Sequence, residues 1–311
     1  MALSEHASCA IGDEVREALA EGKAVVALET TLLVHGLPAD EAATLGEQLE
    51  AVVRAGGAVP ATVGMIDGVA VVGLATAEVR RLIERREQVA KLSTRDLGFA
   101  AAARRDGATT VAATISLASA VGVRVMATGG IGGVHLGAKE TFDESADLVA
   151  LARTEALVVA SGVKSILDVP ATLERLDTLG VPVAGYRTDR FPGFYVRDSG
   201  CAVAWMVASP AEAAAAFLNH VGFGGKGMLL ANPVPERSEM DPAVHAQVLA
   251  DGLHDAMEAG ISGADVTPFL LSHFAEKTEG TSVSSNVALV LDNAGVAAQV
   301  AVAISASGLG N

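Results

Sequence analysis

Two hydrophobic rhythms take turns along this chain: short unbroken apolar runs, and longer stretches in which apolar residues return every three or four positions. A short apolar run bounded by polar residues reads as a buried strand, and the second rhythm as an amphipathic helix. Val25-Val26-Ala27-Leu28 is the first strand. Residues 39–54 form the helix after it, with Pro38 at its start, where a fixed φ suits the first turn. Residues 59–66 and 69–73 are β-rich and flank Asp67-Gly68, a pair that favours a hairpin turn. Residues 77–86 read as a charged helix and 89–92 as a short strand, with Ser93 or Thr94 capping a helix that runs to Arg105. The alternation continues with a helix at 111–121, a strand at 124–128, a helix at 145–153 and a strand at 156–160. A helix from Ala171 and strands at 181–184 and 201–206 follow. From there the pattern is helical: 211–220, 242–259, 268–276 and a long Ala/Val-rich stretch at 282–305.

Alternating strands and helices imply layers, and the hairpin makes the sheet mixed. The predicted fold is α/β: a three-layer α/β/α arrangement with a mixed central sheet and a helical C-terminal section. No repeat, low-complexity linker or block of charge divides the 311 residues, so a single domain over 1–311 is expected. Half the residues are hydrophobic but only 4% are aromatic, so the core must be built from Ala, Val, Leu and Ile. The 33 glycines fit close helix–sheet packing.

A formal charge of -15 argues against binding a nucleic acid polymer, while an anionic small molecule needs only a local basic pocket. Cys9 and Cys201 have neither metal-ligand spacing nor a disulfide framework, which fits a reducing cytoplasm. The opening MALSEHASCAIGDE lacks the basic flank and apolar stretch of a signal peptide. No uninterrupted apolar run approaches the ~20 residues that span a bilayer. A soluble, cytoplasmic protein with no membrane partner is expected.

Ligands in open α/β folds bind beyond the carboxyl ends of strands. At those positions stand Glu29-Thr30-Thr31 with His35 nearby, Lys91-Leu92-Ser93, Thr128 before Gly129-Gly130-Ile131-Gly132-Gly133 with His135 nearby, and Lys164. Lys164 follows the apolar run 156–160 and a Gly162 turn. An ordinary lysine has a pKa of ~10.4, so only about one in a few thousand is neutral at pH 7. Burial at a strand end can release the free amine, a nucleophile toward carbonyl carbon. The plain alternatives are a lysine that caps the strand or pairs with Asp168, a Glu29 that merely neutralises a lysine, and a Lys91 at an exposed terminus. The glycine run lacks the spacing of a P-loop or a dinucleotide site. It is either a flexible turn or, with positive backbone angles, a nest of amides for an anion. Asp143, Glu144, Ser145 and Asp147 gather at a helix start, which suits N-capping or a hard cation such as Mg²⁺ or Mn²⁺ equally.

Longer strings narrow these choices. ALETTLLVHGLP, GAVPATVGMIDGVAVVGL, KLSTRDL, GATTVAATISLA, ATGGIGGVHLGAKETFDESADLVALA, SGVKSILD, VPVAGYRTDRFPGFY, ANPVPE, VTPFLL and the Asn286/Asn293 region span nearly the whole chain. In these segments the chain resembles the pseudouridine-5′-phosphate glycosidase family, with the indigoidine-synthase-A-like fold. The resemblance implies reversible conversion of pseudouridine 5′-phosphate to uracil and ribose 5-phosphate, one divalent ion per subunit (commonly Mn²⁺) and a homotrimer. It implies Lys164 as nucleophile, Glu29 as proton donor and Asp143 as metal ligand. Lys91, Val111, Ser145, Ala146 and Asp147 would contact substrate, with Thr128, His135 and Asn286 as further pocket members.

The chain departs from the family's pattern where Leu136 and Thr94 replace frequently basic residues and Ser284 replaces a lysine. These losses thin the positive charge expected around the pocket and bear on phosphate affinity. Two other readings use the same residues: a different Schiff-base lyase or aldolase acting on a sugar phosphate, and a catalytically silent nucleotide- or sugar-phosphate-binding protein.

Overall fold

The computed structural model describes residues 9–261 and 266–308. Residues 1–8, on which much of the N-terminal reading rests, lie outside them. Nine strands cross one sheet in the order Cys9–Ile11, Val69–Val72, Val59–Ile66, Val25–Glu29, Val125–Ala127, Leu157–Ala160, Met228–Ala231, Val183–Tyr186 and Trp205–Val207. Gly107–Thr109 pairs antiparallel with Val59–Ile66, and Ala90–Leu92 pairs parallel with Gly107–Thr109. The hairpin is present: Asp67 and Gly68 have φ of 48° and 82°, the paired positive angles that a tight two-residue turn requires. The sheet is therefore mixed but mostly parallel.

Parallel register sets up the site. Leu28 lies beside Ala127, Ala127 beside Val159, and Ala160 beside Ala231. The residues that follow each strand are thereby delivered to one edge of the sheet. All five residues of Val25–Glu29 and all four of Leu157–Ala160 are buried, as strands covered on both faces must be. Helices Val111–Ala120 and Ala146–Arg153 pack together as one cover. Helix Thr281–Ala306, with Ala39–Ala55 and Pro210–Gly222 against it, supplies the other.

Thr281–Ala306 is long and apolar enough to cross a membrane by length and composition, but here it is a core helix lying on three central strands. Ala294, Ala297, Ala298 and Ala301 are buried along it. Small side chains at helical spacing let the backbone approach the sheet closely, which explains a core poor in aromatics.

Several elements differ from the sequence reading. Met228–Ala231 is an interior strand between the helices expected at 211–220 and 242–259, where no element was expected. Cys9–Ile11, Gly107–Thr109 and the small pair Val134–His135 with Leu167–Asp168 are also new. The helix expected from Ser93 or Thr94 to Arg105 is only Leu97–Ala102. Ser93 and Asp96 form a turn instead, the Ser93 amide donating to Asp96 Oδ2 at 2.9 Å, and Arg104 at φ 51° cannot continue a helix.

Candidate active site

Beyond the carboxyl ends of the central strands lies a cavity of about 320 Å³. Glu29, Lys91, Thr128, Lys164, His35 and Asn286 bring polar groups to its lining, and Leu32, Phe194 and Leu271 bring apolar ones. Lys164 stands four residues past Leu157–Ala160 and is half-buried rather than buried, contrary to the expectation for a strand-end lysine. Pairing continues past the regular strands through a bridge between Ile131 and Val163, and the Lys164 amide donates to the Ile131 carbonyl at 3.2 Å. That backbone bond fixes where the side chain starts.

Glu29 is 7% exposed, and Oε1 accepts a hydrogen bond from Thr128 Oγ1 at 2.5 Å. Burial raises its pKa above the ordinary carboxylate value, against the opposing pull of Lys164, the Thr128 hydroxyl and Lys91. The carboxyl thus keeps its proton to higher pH and is suited to general acid work. Lys91 is exposed at its strand terminus, one of the plain alternatives, yet surrounding protein lowers its pKa by desolvation and the Lys164 charge lowers it further. Among the described residues no carboxylate lies within 4.0 Å of either lysine's ammonium nitrogen, so neither amine is tied up in an ion pair. The plain alternative for Glu29, neutralising a lysine by direct contact, is not realised.

Beneath Glu29 sits a net of buried hydroxyls. Thr30 Oγ1 donates to the Val63 carbonyl at 2.8 Å and accepts from the Thr109 amide at 2.9 Å; Thr109 Oγ1 also donates to Val63 O, at 2.7 Å. These bonds hold the end of Glu29's strand to its neighbours, so the carboxyl has little freedom to swing away.

None of the four glycines at 129–133 has a positive φ, so the expected nest is not formed that way. They are required for contact instead: a Cβ on Gly132 would collide with the Ser145 hydroxyl, and one on Gly130 with the Phe194 ring. Asp147, 5% exposed, accepts from the Ala112 amide at 2.9 Å and the Gly132 amide at 2.8 Å. It thereby ties the glycine loop to the first turn of Val111–Ala120, where a carboxylate is favoured. Ser145 caps Ala146–Arg153, accepting from the Asp147 amide at 3.2 Å, as expected. Val111 is 1% exposed, so its side chain is out of reach of a ligand and only its backbone can serve one.

Asp143 lies half-exposed outside the cavity lining, with Oδ2 3.9 Å from His135 Nδ1. The His135 amide donates to the Asp143 carbonyl at 3.0 Å, and burial lowers the imidazole's pKa. No cluster of three or more His, Cys, Asp or Glu side chains suited to a metal occurs among the described residues. One hard carboxylate oxygen beside a neutral imidazole fits a divalent ion whose remaining ligands are waters and substrate oxygens; it does not fit a closed protein cage.

With this geometry in view, comparison with known proteins decides the family. Residues 14–303 match the model of "Indigoidine synthase A like protein". The chain belongs to the indigoidine synthase A-like family. A relative from Salinispora tropica called pseudouridine-5′-phosphate glycosidase is 54% identical over 297 residues, 95% of this chain and 91% of its own length. One from Herpetosiphon aurantiacus with the same name is 51% identical over 94% of this chain and 97% of its own. These relatives are enzymes, and so is this member of their family. Among solved structures, a prealnumycin C-glycosynthase in complex with ribulose 5-phosphate superimposes with a TM-score of 0.90 at 38% identity, covering 97% of this chain and 98% of its own. An indigoidine synthase A-like protein from Thermotoga maritima gives 0.88 at 35% identity, covering 98% and 99%.

Two features of this family member escaped the sequence reading. Phe194 lines the cavity with φ 66°, a left-handed backbone rare for a bulky residue, held by its amide's bond to Ser161 O at 3.0 Å. Its signal was present: Arg-Phe-Pro-Gly-Phe-Tyr is an aromatic cluster in a chain with few aromatics. The other is Asn293, fully buried, whose Nδ2 donates to Thr128 O at 2.8 Å and whose Oδ1 accepts from Asn232 Nδ2 at 2.9 Å. It joins three strand ends to the last helix. Replacing Asn293 with Leu is expected to cost about 3 kcal/mol by orphaning these groups. Calorimetry should show a melting-temperature fall on the order of 5 °C. The departures Thr94, Leu136 and Ser284 are all exposed, and none lines the cavity.

Proposed function

We propose that this enzyme reversibly cleaves the carbon–carbon glycosidic bond of pseudouridine 5′-phosphate, giving uracil and ribose 5-phosphate through a Schiff base on Lys164. The observation that carries this reading is a buried carboxyl biased toward its protonated form in the same cavity as two unpaired lysines. The names of the relatives and the sugar phosphate bound by the C-glycosynthase support it.

Carbon is a poor leaving atom, so ordinary glycoside hydrolysis does not serve. The neutral amine of Lys164 attacks C1′ while the bond from C1′ to the ring oxygen breaks, opening the ribose, and a proton passes from the new ammonium to that oxygen. The nitrogen lone pair then forms an iminium as the bond from C1′ to C5 of uracil breaks, and Glu29 delivers a proton to C5. Water adds to the iminium and releases ribose 5-phosphate and the free lysine. The sum is substrate plus water to two products. General acid assistance of this kind is worth ~10²–10⁴-fold.

Lys91 supplies positive charge for the phosphate or assists proton transfer. Thr128 and Asn286 complete the pocket, with His135 outside its lining beside Asp143, while contacts at Val111 and at Ser145-Ala146-Asp147 run through backbone and hydroxyl, because both Asp147 oxygens are already engaged. Asp143, with His135 beside it, would hold one Mn²⁺ per subunit, which supplies charge to substrate oxygens when bound. The free thiols of Cys9 and Cys201 accord with a cytoplasmic site of action. A homotrimer is the assembly we propose from the family resemblance.

The test is incubation with pseudouridine 5′-phosphate, following loss of substrate absorbance and release of uracil. Chelation is expected to abolish turnover and Mn²⁺ to restore it, with Asp143→Asn demanding more metal for half-maximal rate. Unchanged turnover after chelation would overturn the metal assignment; no uracil under any metal would overturn the function.

A further inference from the structure

His35 lines the same cavity as Glu29, Lys91 and Lys164, yet the glycosidase chemistry gives it no task. It closes the single-turn helix Thr31–His35, which starts two residues after Glu29 and is anchored by buried Leu33 and Val34. Gly36 ends that turn: its amide donates to the Leu32 carbonyl at 3.1 Å, and a Cβ there would collide with the Leu32 backbone. Arg86 donates to the Leu37 carbonyl at 2.7 Å and pins the segment that follows. The ring is thus held in the cavity wall. Its Nε2 is shielded from solvent and has no hydrogen-bond partner, and the same holds for Oδ1 of buried Asn286 in the same lining. Such orphaned atoms are costly unless a ligand satisfies them. Burial and the charges of Lys91 and Arg86 favour the neutral imidazole, against a weaker pull from Glu87. A neutral imidazole has one N–H to give and one nitrogen that can receive a proton.

A carboxylate base beside a neutral imidazole is the pair that moves a proton between adjacent carbons of a sugar phosphate. Cleavage itself creates the base. Once Glu29 has given its proton to uracil it is a carboxylate, and ribose 5-phosphate is still in the cavity. The reverse reaction needs that carboxylate to take a proton from carbon, so both forms of Glu29 belong to one cycle. Its burial makes the ionised form a stronger base than an exposed carboxylate.

We infer that the same cavity isomerises ribose 5-phosphate to its ketose, ribulose 5-phosphate, with Glu29 as the base and His35 as the proton carrier between the two oxygens. This rests on the proposed C-glycosidase reading, which puts ribose 5-phosphate in the cavity. The open-chain aldehyde reacts without joining Lys164. Glu29 takes the proton from C2, the electrons of that bond form a C1=C2 double bond, and the C1 oxygen takes a proton from Nε2 of His35. His35 then takes the proton of the C2 hydroxyl, and Glu29 returns its own to C1 as the C2 carbonyl forms. C1 is reduced and C2 oxidised within one molecule, so no other reactant enters. Lys91 offsets the negative charge that builds on the C1 oxygen, and Oδ1 of Asn286 accepts from a sugar hydroxyl.

The experiment gives the Mn²⁺-supplemented enzyme ribose 5-phosphate without uracil and follows ketose by NMR, with cleavage of pseudouridine 5′-phosphate assayed alongside. Ketose formation should rise as pH rises through the folded pKa of Glu29, which Lys164, Thr128 and Lys91 lower and burial and Asp147 raise. Cleavage needs the acid form and should fall over the same range. Lys164→Ala should lose cleavage but still form ketose, with the rise displaced to higher pH because a charge that lowers the Glu29 pKa is gone. His35→Leu should lower the ketose rate ~10²–10⁴-fold, and His35→Gln, which can donate but not carry a proton, should not restore it. Ketose formed at the wild-type rate by Glu29→Gln or His35→Leu protein, purified in the same way, overturns the inference. So does an equal loss of cleavage and ketose in both His35 variants, which would leave His35 only a structural role. Uracil release by a wild type that forms no ketose overturns this inference alone. Failure to release uracil sinks the underlying reading and this one with it.

Discussion

Lys164→Ala should lower turnover of pseudouridine 5′-phosphate by at least ~10⁴-fold, the scale on which enzymes lose rate when a covalent nucleophile is removed. The cavity holds one other amine, Lys91, but it comes from a different strand and faces Lys164 as a separate positive charge. It cannot occupy the position fixed by the bond between the Lys164 amide and the Ile131 carbonyl. Borohydride added with ribose 5-phosphate should leave the mass of a reduced sugar on a peptide containing Lys164. Lys91→Ala should still be labelled and Lys164→Ala should not. A labelled Lys164→Ala protein would move the imine to another amine and refute the assignment.

Glu29→Gln is the second large effect. The amide keeps an acceptor for the Thr128 hydroxyl but cannot give up a proton to carbon, so a fall of ~10²–10⁴-fold in turnover is expected. In the wild type, the folded pKa of Glu29 lies above the ordinary 4.5, chiefly through burial. The acid form is then progressively lost as pH rises through that folded value, and the alkaline limb of the rate profile should follow it. Stability moves in the same direction. A carboxyl whose folded pKa is raised contributes fully below its unfolded pKa, and that contribution disappears as pH rises through the folded one. Glutamine does not ionise, so the melting temperature of Glu29→Gln relative to wild type should climb over this window. A difference that is flat with pH would mean that folding does not raise the pKa of Glu29.

Much of this site was legible because strand ends carry their chemistry in sequence. Glu29 and Thr128 come directly after unbroken apolar runs, and the parallel register then brings them together. What stayed hidden depended on contacts between distant segments. Met228–Ala231 is four apolar residues among helical patterns, too short for its period to be told from a helix turn, yet it is an interior strand of the sheet, paired on both sides. The glycines at 129–133 suggested unusual backbone angles, but their need is for space against Ser145, Thr172 and Phe194, partners that no local pattern names. Lys164 was read as buried from the strand before it; the turn at Gly162 and the bridge at Val163 carry it outward to half-burial. Asn293 looks like an ordinary polar residue in an Ala/Val-rich helix until the strand ends are seen around it.

The bond from Asn293 to the Thr128 carbonyl joins residues 165 positions apart. At translation rates of 5–20 residues per second, Thr128 therefore leaves the peptidyl-transferase centre roughly 8–33 s before its partner is polymerised. Over that interval the nascent sheet has no cover on the face later taken by Thr281–Ala306, and its apolar strands are open to chaperones or to other growing chains. Catalytic competence is thus acquired late in biogenesis, when the last helix closes over strands made long before it.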